Sequence, residues 1–308
     1  MSSDERDQLA NYQQQAKLFY EGQRFGQALG QIDRGLEIEP DDYLLNSLKG
    51  GILLLSSGDA QGTDHKLLDQ ATEILARVYD ERSPSRHEPY LLLDYARALQ
   101  KQGLRHLGES VRLAGHAARA PADEAVTLRE KEAEEKATAT DLLRQADELL
   151  AVMVERGDYL RLAWNHRLQI ARQIGDDAQV NTAAKNYFEQ ALKAQAVTKK
   201  RIEDTDSVGF ENEQMRLMKQ LRDEELGVRS LVAEFHYSRK QYDEALVHLN
   251  RVLEIDPQRS VDYYNRGRIL LALKRIDDAR SDFRRFLATT TLPATSDKST
   301  FALQALER

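Results

Sequence analysis

The chain has no cysteine among its 308 residues. That removes disulfides, thiolate catalysis and cysteine–zinc sites at once. Proline is scarce, with six residues, and long β-branched runs are missing, so little in the sequence stops helices from forming. Apolar runs such as Ile52–Leu55 are far too short to span a bilayer. The start, MSSDERDQLANYQQQ, lacks the apolar stretch of a signal peptide. The chain therefore reads as cytoplasmic, with a bacterial periplasmic or envelope location as the alternative should a leader have been removed.

The chemistry of common enzyme sites is also missing. There is no glycine-rich phosphate loop and no Gly-x-Ser-x-Gly elbow. The seven histidines (His65, His87, His106, His116, His166, His236 and His248) are scattered, with no His-x-x-x-His pair to hold a metal. The expectation is a protein that is not an enzyme and needs no cofactor or metal. The net charge is 44 − 51 = −7, which argues against general binding to a phosphate backbone.

What the chain does contain is repetition. Arg24–Pro40 reads RFGQALGQIDRGLEIEP and Gln241–Pro257 reads QYDEALVHLNRVLEIDP, and seven positions are identical, Ala28/Ala245 and Pro40/Pro257 among them. Both stretches space apolar residues three and four apart and stop at acid–Pro, which describes an amphipathic helix ended before proline. Each follows another amphipathic segment, YQQQAKLFYEGQ in the first case and SLVAEFHYSRKQ in the second. A helix–turn–helix unit of this kind buries one face and needs neighbours to complete a core.

These residues resemble the tetratricopeptide repeat, a 34-residue helical hairpin with spaced aromatic, small and proline positions. Counted back from Pro40, the first unit begins at Leu9 and sets Tyr12, Ala16, Phe19, Ala28, Ile32, Gly35 and Pro40 on the family's signature positions. The same count gives unit starts near 9, 43, 89, 127, 161, 226 and 260. The start near 127 rests on an echo between LDQATEILA and LRQADELLA, which aligns Ala71 with Ala146. The resemblance implies an all-α, right-handed superhelical solenoid of about seven antiparallel hairpins over 5–308. A charged insertion would occupy 195–225 and lengthen the helices beside it, and a capping helix would occupy 297–307.

In this family the first helix of each pair lines a concave groove that holds an extended peptide or a helix. Carried over position by position, the groove would hold Gln13, Lys17, Tyr20, Tyr90, Arg97, Asn165, Gln169, Arg172, Tyr237, Tyr264, Asn265 and Arg268. Tyr264, Asn265 and Arg268 are expected on one exposed stripe, where an amide, a guanidinium and an aromatic ring suit peptide capture. Gln13 and Lys17 have no counterpart in Ser47, Leu48 and Gly51, so the Lys/Asn pattern that clamps a C-terminal carboxylate is missing.

The implied role is a non-catalytic scaffold for a protein or peptide partner of unknown identity. The alternatives are an envelope-assembly or secretion accessory protein of the same fold, and a regulatory subunit of an enzyme or nucleic-acid machine. Two charged stretches stand out. Residues 122–158 carry eleven acids against five bases, and residues 260–288 carry seven bases against four acids. The first is expected to be a solvated helix face. The second lacks the interleaved exposed aromatics that RNA binding uses, so a nucleic-acid partner is not expected.

Overall fold

The computed structural model describes residues 1–58, 62–80 and 87–307. Among these residues all regular structure is helical, in thirteen helices with no strand. Contacts divide the chain into two compact units, Met1–Gln179 and Val180–Arg308.

In the first unit, α1 (Ser3–Glu21) pairs with α2 (Phe25–Ile38), α3 (Tyr43–Ser56) with α4 (His65–Asp80), and α5 (Pro89–Ala117) with α6 (Ala122–Arg156), followed by α7 (Leu160–Ile174). Local signals set these ends. Ser2 and Glu5 form a capping box at the start of α1, and the Asp42 carboxylate accepts from the Leu45 amide at 2.8 Å to open α3. Pro89 begins α5 at a position where a missing N–H costs nothing. Gly157, with φ 78°, closes α6.

α8 (Asp177–Glu203) begins in the first unit and continues in the second, which also holds α9 (Val208–Ser238), α10 (Tyr242–Ile255), α11 (Ser260–Ala272), α12 (Ile276–Thr289) and α13 (Asp297–Glu307). The charged 195–225 segment lies largely in the end of α8 and the beginning of α9, whose N-cap is Ser207. Residues 297–307 are α13, packed against α12.

The repeat is visible in the backbone. Gln23, Lys240 and Lys274 stand at φ 55°, 61° and 60°, and Gly175 at 84°, each in the turn between two helices. Each lies fourteen positions after a unit start inferred from sequence, at 9, 226, 260 and 161. One hydrogen bond recurs there, with Arg24 N–H reaching Phe19 O (2.8 Å), Asp176 reaching Ala171 (2.9 Å), Gln241 reaching His236 (2.9 Å) and Arg275 reaching Leu270 (2.8 Å). A left-handed residue followed by this back-bonded N–H is the way a helix closes without orphaned carbonyls.

Small residues then set how closely paired helices approach. Ala28, Ala71, Ala146, Ala245 and Ala279 are all fully buried. A Cβ on Gly50 would come within 2.7 Å of Leu75, and one on Gly103 within 2.9 Å of Leu143. Around these contacts run continuous apolar cores: Ala16, Ile32 and Leu45 in α1–α3, Leu92, Leu143 and Leu150 in α5–α6, and Leu249, Phe283 and Phe286 in α10–α12.

The count departs from the sequence expectation at one place. Thr127, expected to start a unit, lies inside α6, which runs unbroken for 35 residues against the 29 of α5. Two expected units are therefore one long hairpin, and among the described residues α1–α2, α3–α4, α5–α6, α9–α10 and α11–α12 pack as pairs. The stretch from Leu128 to Leu142 contains neither glycine nor proline and is rich in Ala, Glu, Lys and Arg, so nothing in it ends a helix. Its first half is mostly exposed and carries the acidic run, as expected of a solvated face. Further along, His106 Nδ1 contacts Glu135 Oε2 at 2.5 Å.

Candidate functional site

Among the described residues, each unit contains a cavity of ligand size that includes residues expected in the groove. In the second unit, a cavity of about 510 Å³ lies between α9 and α11, with Lys298 of α13 at its edge. Leu231, Leu249 and Ile269 give it an apolar wall, and Glu234, Asn265 and Arg268 supply polar groups. Arg268 Nη2 donates to the Tyr237 hydroxyl at 3.0 Å, and its guanidinium carbon lies 4.7 Å from the Tyr237 ring centroid. The structure thus brings Tyr237, Asn265 and Arg268 together at one cavity.

Tyr264 belongs elsewhere. Expected on the exposed stripe, it is 7% exposed and packs its ring against Phe283, Phe286 and Phe301 at centroid distances of 6.1, 5.3 and 5.9 Å. Burial pushes its phenol pKa upward. At roughly 100° per residue Arg268 falls between Tyr264 and Asn265 on the helix surface, so the tyrosine and asparagine positions flank it, and the Tyr264 side is the one that packs on the core.

In the first unit several of the expected groove residues are already engaged with neighbouring side chains. Gln13 Nε2 donates to Asp42 Oδ2 at 2.6 Å, tying α1 to the cap of α3. The Tyr20 hydroxyl donates to Asp94 Oδ2 at 3.2 Å, and Arg97 Nη1 donates to Asp94 Oδ1 at 3.3 Å. Asp94 is buried, and burial raises its carboxyl pKa against the opposing pull of Arg97 and the Tyr20 hydrogen bond. Tyr20 is raised as well, first by burial and then by the Asp94 charge.

Gly51 makes this junction possible, because a Cβ there would stand 2.6 Å from Asp94 Oδ2 and 3.0 Å from the Tyr20 hydroxyl. Gly50 faces its hairpin partner α4, whereas Gly51 faces the neighbouring helices. Tyr90 is half-buried, and its hydroxyl has no hydrogen-bond partner among the described residues. Lys17 is exposed, Arg172 is half-buried, and Gln169 Nε2 donates to Asn165 Oδ1 at 3.1 Å.

Arg97 and Gln169 line the second cavity, of about 530 Å³. Sequence reasoning missed Asp94, Gln100, Lys101, His166 and Lys298 as members of these sites. The adjacent Gly50-Gly51 pair was the available signal for Asp94, since a second small residue one step round the helix implies a second close neighbour. Among the described residues, no group of three or more acids or histidines is placed to hold a metal, and no helix is long and apolar enough to cross a membrane.

Residues 263–288 match the model of the tetratricopeptide repeat. No curated protein matches the sequence. Among solved structures, the nuclear import adaptor Nro1, a hypoxic regulator of sterol synthesis, is similar at 12% identity with a TM-score of 0.42, over 98% of this chain and 93% of that one. The TPR2AB domain of yeast Sti1, solved as a complex with pHSP90, is similar at 12% identity with a TM-score of 0.28, over 97% of each chain.

Proposed function

We propose, for a chain that carries a tetratricopeptide repeat and is built of paired helices, a role as a non-catalytic protein-interaction scaffold whose α9–α11 cavity holds an extended peptide of a partner. The observation that carries this reading is the convergence of Tyr237, Asn265 and Arg268 on one cavity with an apolar wall. An Asn side chain offers a donor and an acceptor to a peptide backbone. Arg268 is held in place by the Tyr237 hydroxyl and ring, so it loses little rotamer freedom when an acidic side chain arrives. Lys298, which also lines the cavity, favours the same charge, while Glu234 disfavours a second acid beside it.

The test uses peptides selected against the full chain from a random display library. The double variant Asn265→Ala, Arg268→Ala should bind the selected peptides ~2–4 kcal/mol more weakly, because both groups meet a desolvated ligand. Both side chains are only half-buried, so thermal unfolding should hardly change. Selected peptides that bind the double variant as tightly as the parent would remove this cavity from the account.

A further inference from the structure

The cavity of the first unit is chemically different. α5 presents Arg97, Lys101 and Arg105 to it at intervals of four residues, and among the described residues no carboxylate lines it. Such spacing sets side chains along one face of a helix, here over about 12 Å at 1.5 Å per residue. Among the described residues that do not line the cavity, Asp94 accepts from Arg97 Nη1 at 3.3 Å and Asp69 from Arg105 Nη1 at 3.0 Å. A guanidinium has five N–H donors, so these contacts orient the two arginines without exhausting them. Lys101 Nζ is fixed by Leu54 O at 3.3 Å, Ser57 Oγ at 3.2 Å and Gly58 O at 2.5 Å.

The same helix adds a neutral donor. Gln100 is 6% exposed, and its Oε1 lies 3.0 Å from His166 Nδ1. Its Nε2 is buried, has no hydrogen-bond partner among the described residues, and belongs to a side chain that lines the cavity. A buried amide donor left unmatched costs about 1–3 kcal/mol, and an acceptor delivered by a ligand would recover it. His166 is pushed down to about 4, by burial first and by Arg97 second, so at neutral pH its ring is a neutral partner of Gln100.

We propose that this cavity is an anion site that takes a small ligand bearing two or more phosphate or carboxylate groups. Its volume of about 530 Å³ suits a small molecule. Three cations in a row favour several negative groups over one, and the Gln100 amide adds a neutral donor within the cationic wall. The site lies in residues 1–179 and the peptide cavity in residues 180–308, so each stands or falls without the other.

Titration calorimetry on the full chain with tripolyphosphate and, separately, with citrate tests the assignment at low ionic strength. At least one of them should bind saturably at one site per chain, and which one binds decides between phosphate and carboxylate ligands. Gln100→Glu and Arg105→Gln should each weaken that binding by ~10-fold or more, the first by replacing a donor with a charge of the wrong sign. Arg105 is largely exposed, so its variant should fold normally, which circular dichroism checks. Arg284→Gln, an exposed position on α12, should leave binding unchanged. Absence of saturable binding by both anions, equal binding by the two cavity variants, or an equal loss in the Arg284 variant would each overturn the site.

Discussion

A Cβ placed on Gly267 would stand 2.8 Å from Cε1 of Phe283. The first helix of this pair touches the second through a ring that is fully buried, and the contact exists because position 267 has no side chain. Gly267→Ala should therefore destabilise the protein by ~1–3 kcal/mol through overpacking. Gly30, in the middle of α2, meets nothing within 4 Å at the same test position. Gly30→Ala should stabilise by ~0.5–1 kcal/mol through helix propensity alone. Urea unfolding of both variants checks the pair, and equal effects of the same sign would contradict the packing argument.

Lys240 and Lys274 occupy the same left-handed turn position 34 residues apart. An L-residue with a side chain pays roughly 1–2 kcal/mol for that conformation, whereas glycine pays almost nothing. Part of the gain is offset by the greater freedom of glycine in the unfolded chain. Lys274→Gly should raise unfolding stability by ~0.5–1 kcal/mol, and Gly175→Ala should lower it by a comparable amount. A destabilising Lys274→Gly would mean that the lysine side chain has a role its backbone does not reveal.

Those turns were legible in the sequence because they follow from spacing. Once Pro40 and Pro257 fixed two units, the positions of Gln23 and Lys240 followed. The alanines of the close approach were legible for the same reason, and Ala146 proved a valid equivalent of Ala71 even though the helix that precedes it was misjudged. Its partner is α5, across the turn at 118–121, rather than a helix begun at Thr127. A repeat whose helices are lengthened within one hairpin keeps its packing residues and loses its period, so counting by 34 inserts a boundary where the chain has none.

The site was less legible. Equivalent positions in successive repeats carry different neighbours, so membership of a groove position did not tell whether Tyr20 meets a ligand or Asp94.

The Tyr20–Asp94 bond has a measurable cost of removal. Tyr20→Phe keeps the ring that packs edge-on to Phe25 at 5.9 Å and takes away only the hydroxyl. Asp94 would keep Arg97 as its partner but lose a donor while remaining buried. The variant should lose ~1–2 kcal/mol, the cost of leaving a buried acceptor short of one hydrogen bond. Denaturant unfolding at neutral pH reads this directly, and an unchanged midpoint would show that water takes over the role of the hydroxyl.

The final prediction concerns acid. His248 lies with its ring parallel to His236, centroids 5.9 Å apart, and its Nδ1 is buried without a hydrogen-bond partner among the described residues. Burial first, then Arg229 and His236, push its pKa down from 6.5 to about 4. The folded protein therefore binds this proton less readily than the unfolded chain does. The associated stability is fully present above pH 6.5 and is lost progressively as pH falls toward 4. At pH 5 the loss from this one group should be ~1–2 kcal/mol. Carboxylates also begin to titrate there, so the comparison that isolates His248 is between the parent and His248→Phe. The variant should show the shallower fall in stability between pH 7 and 5 by that amount, whatever its stability at pH 7. Parallel pH profiles for the two proteins would show that His248 can take up its proton without disturbing the helices around it.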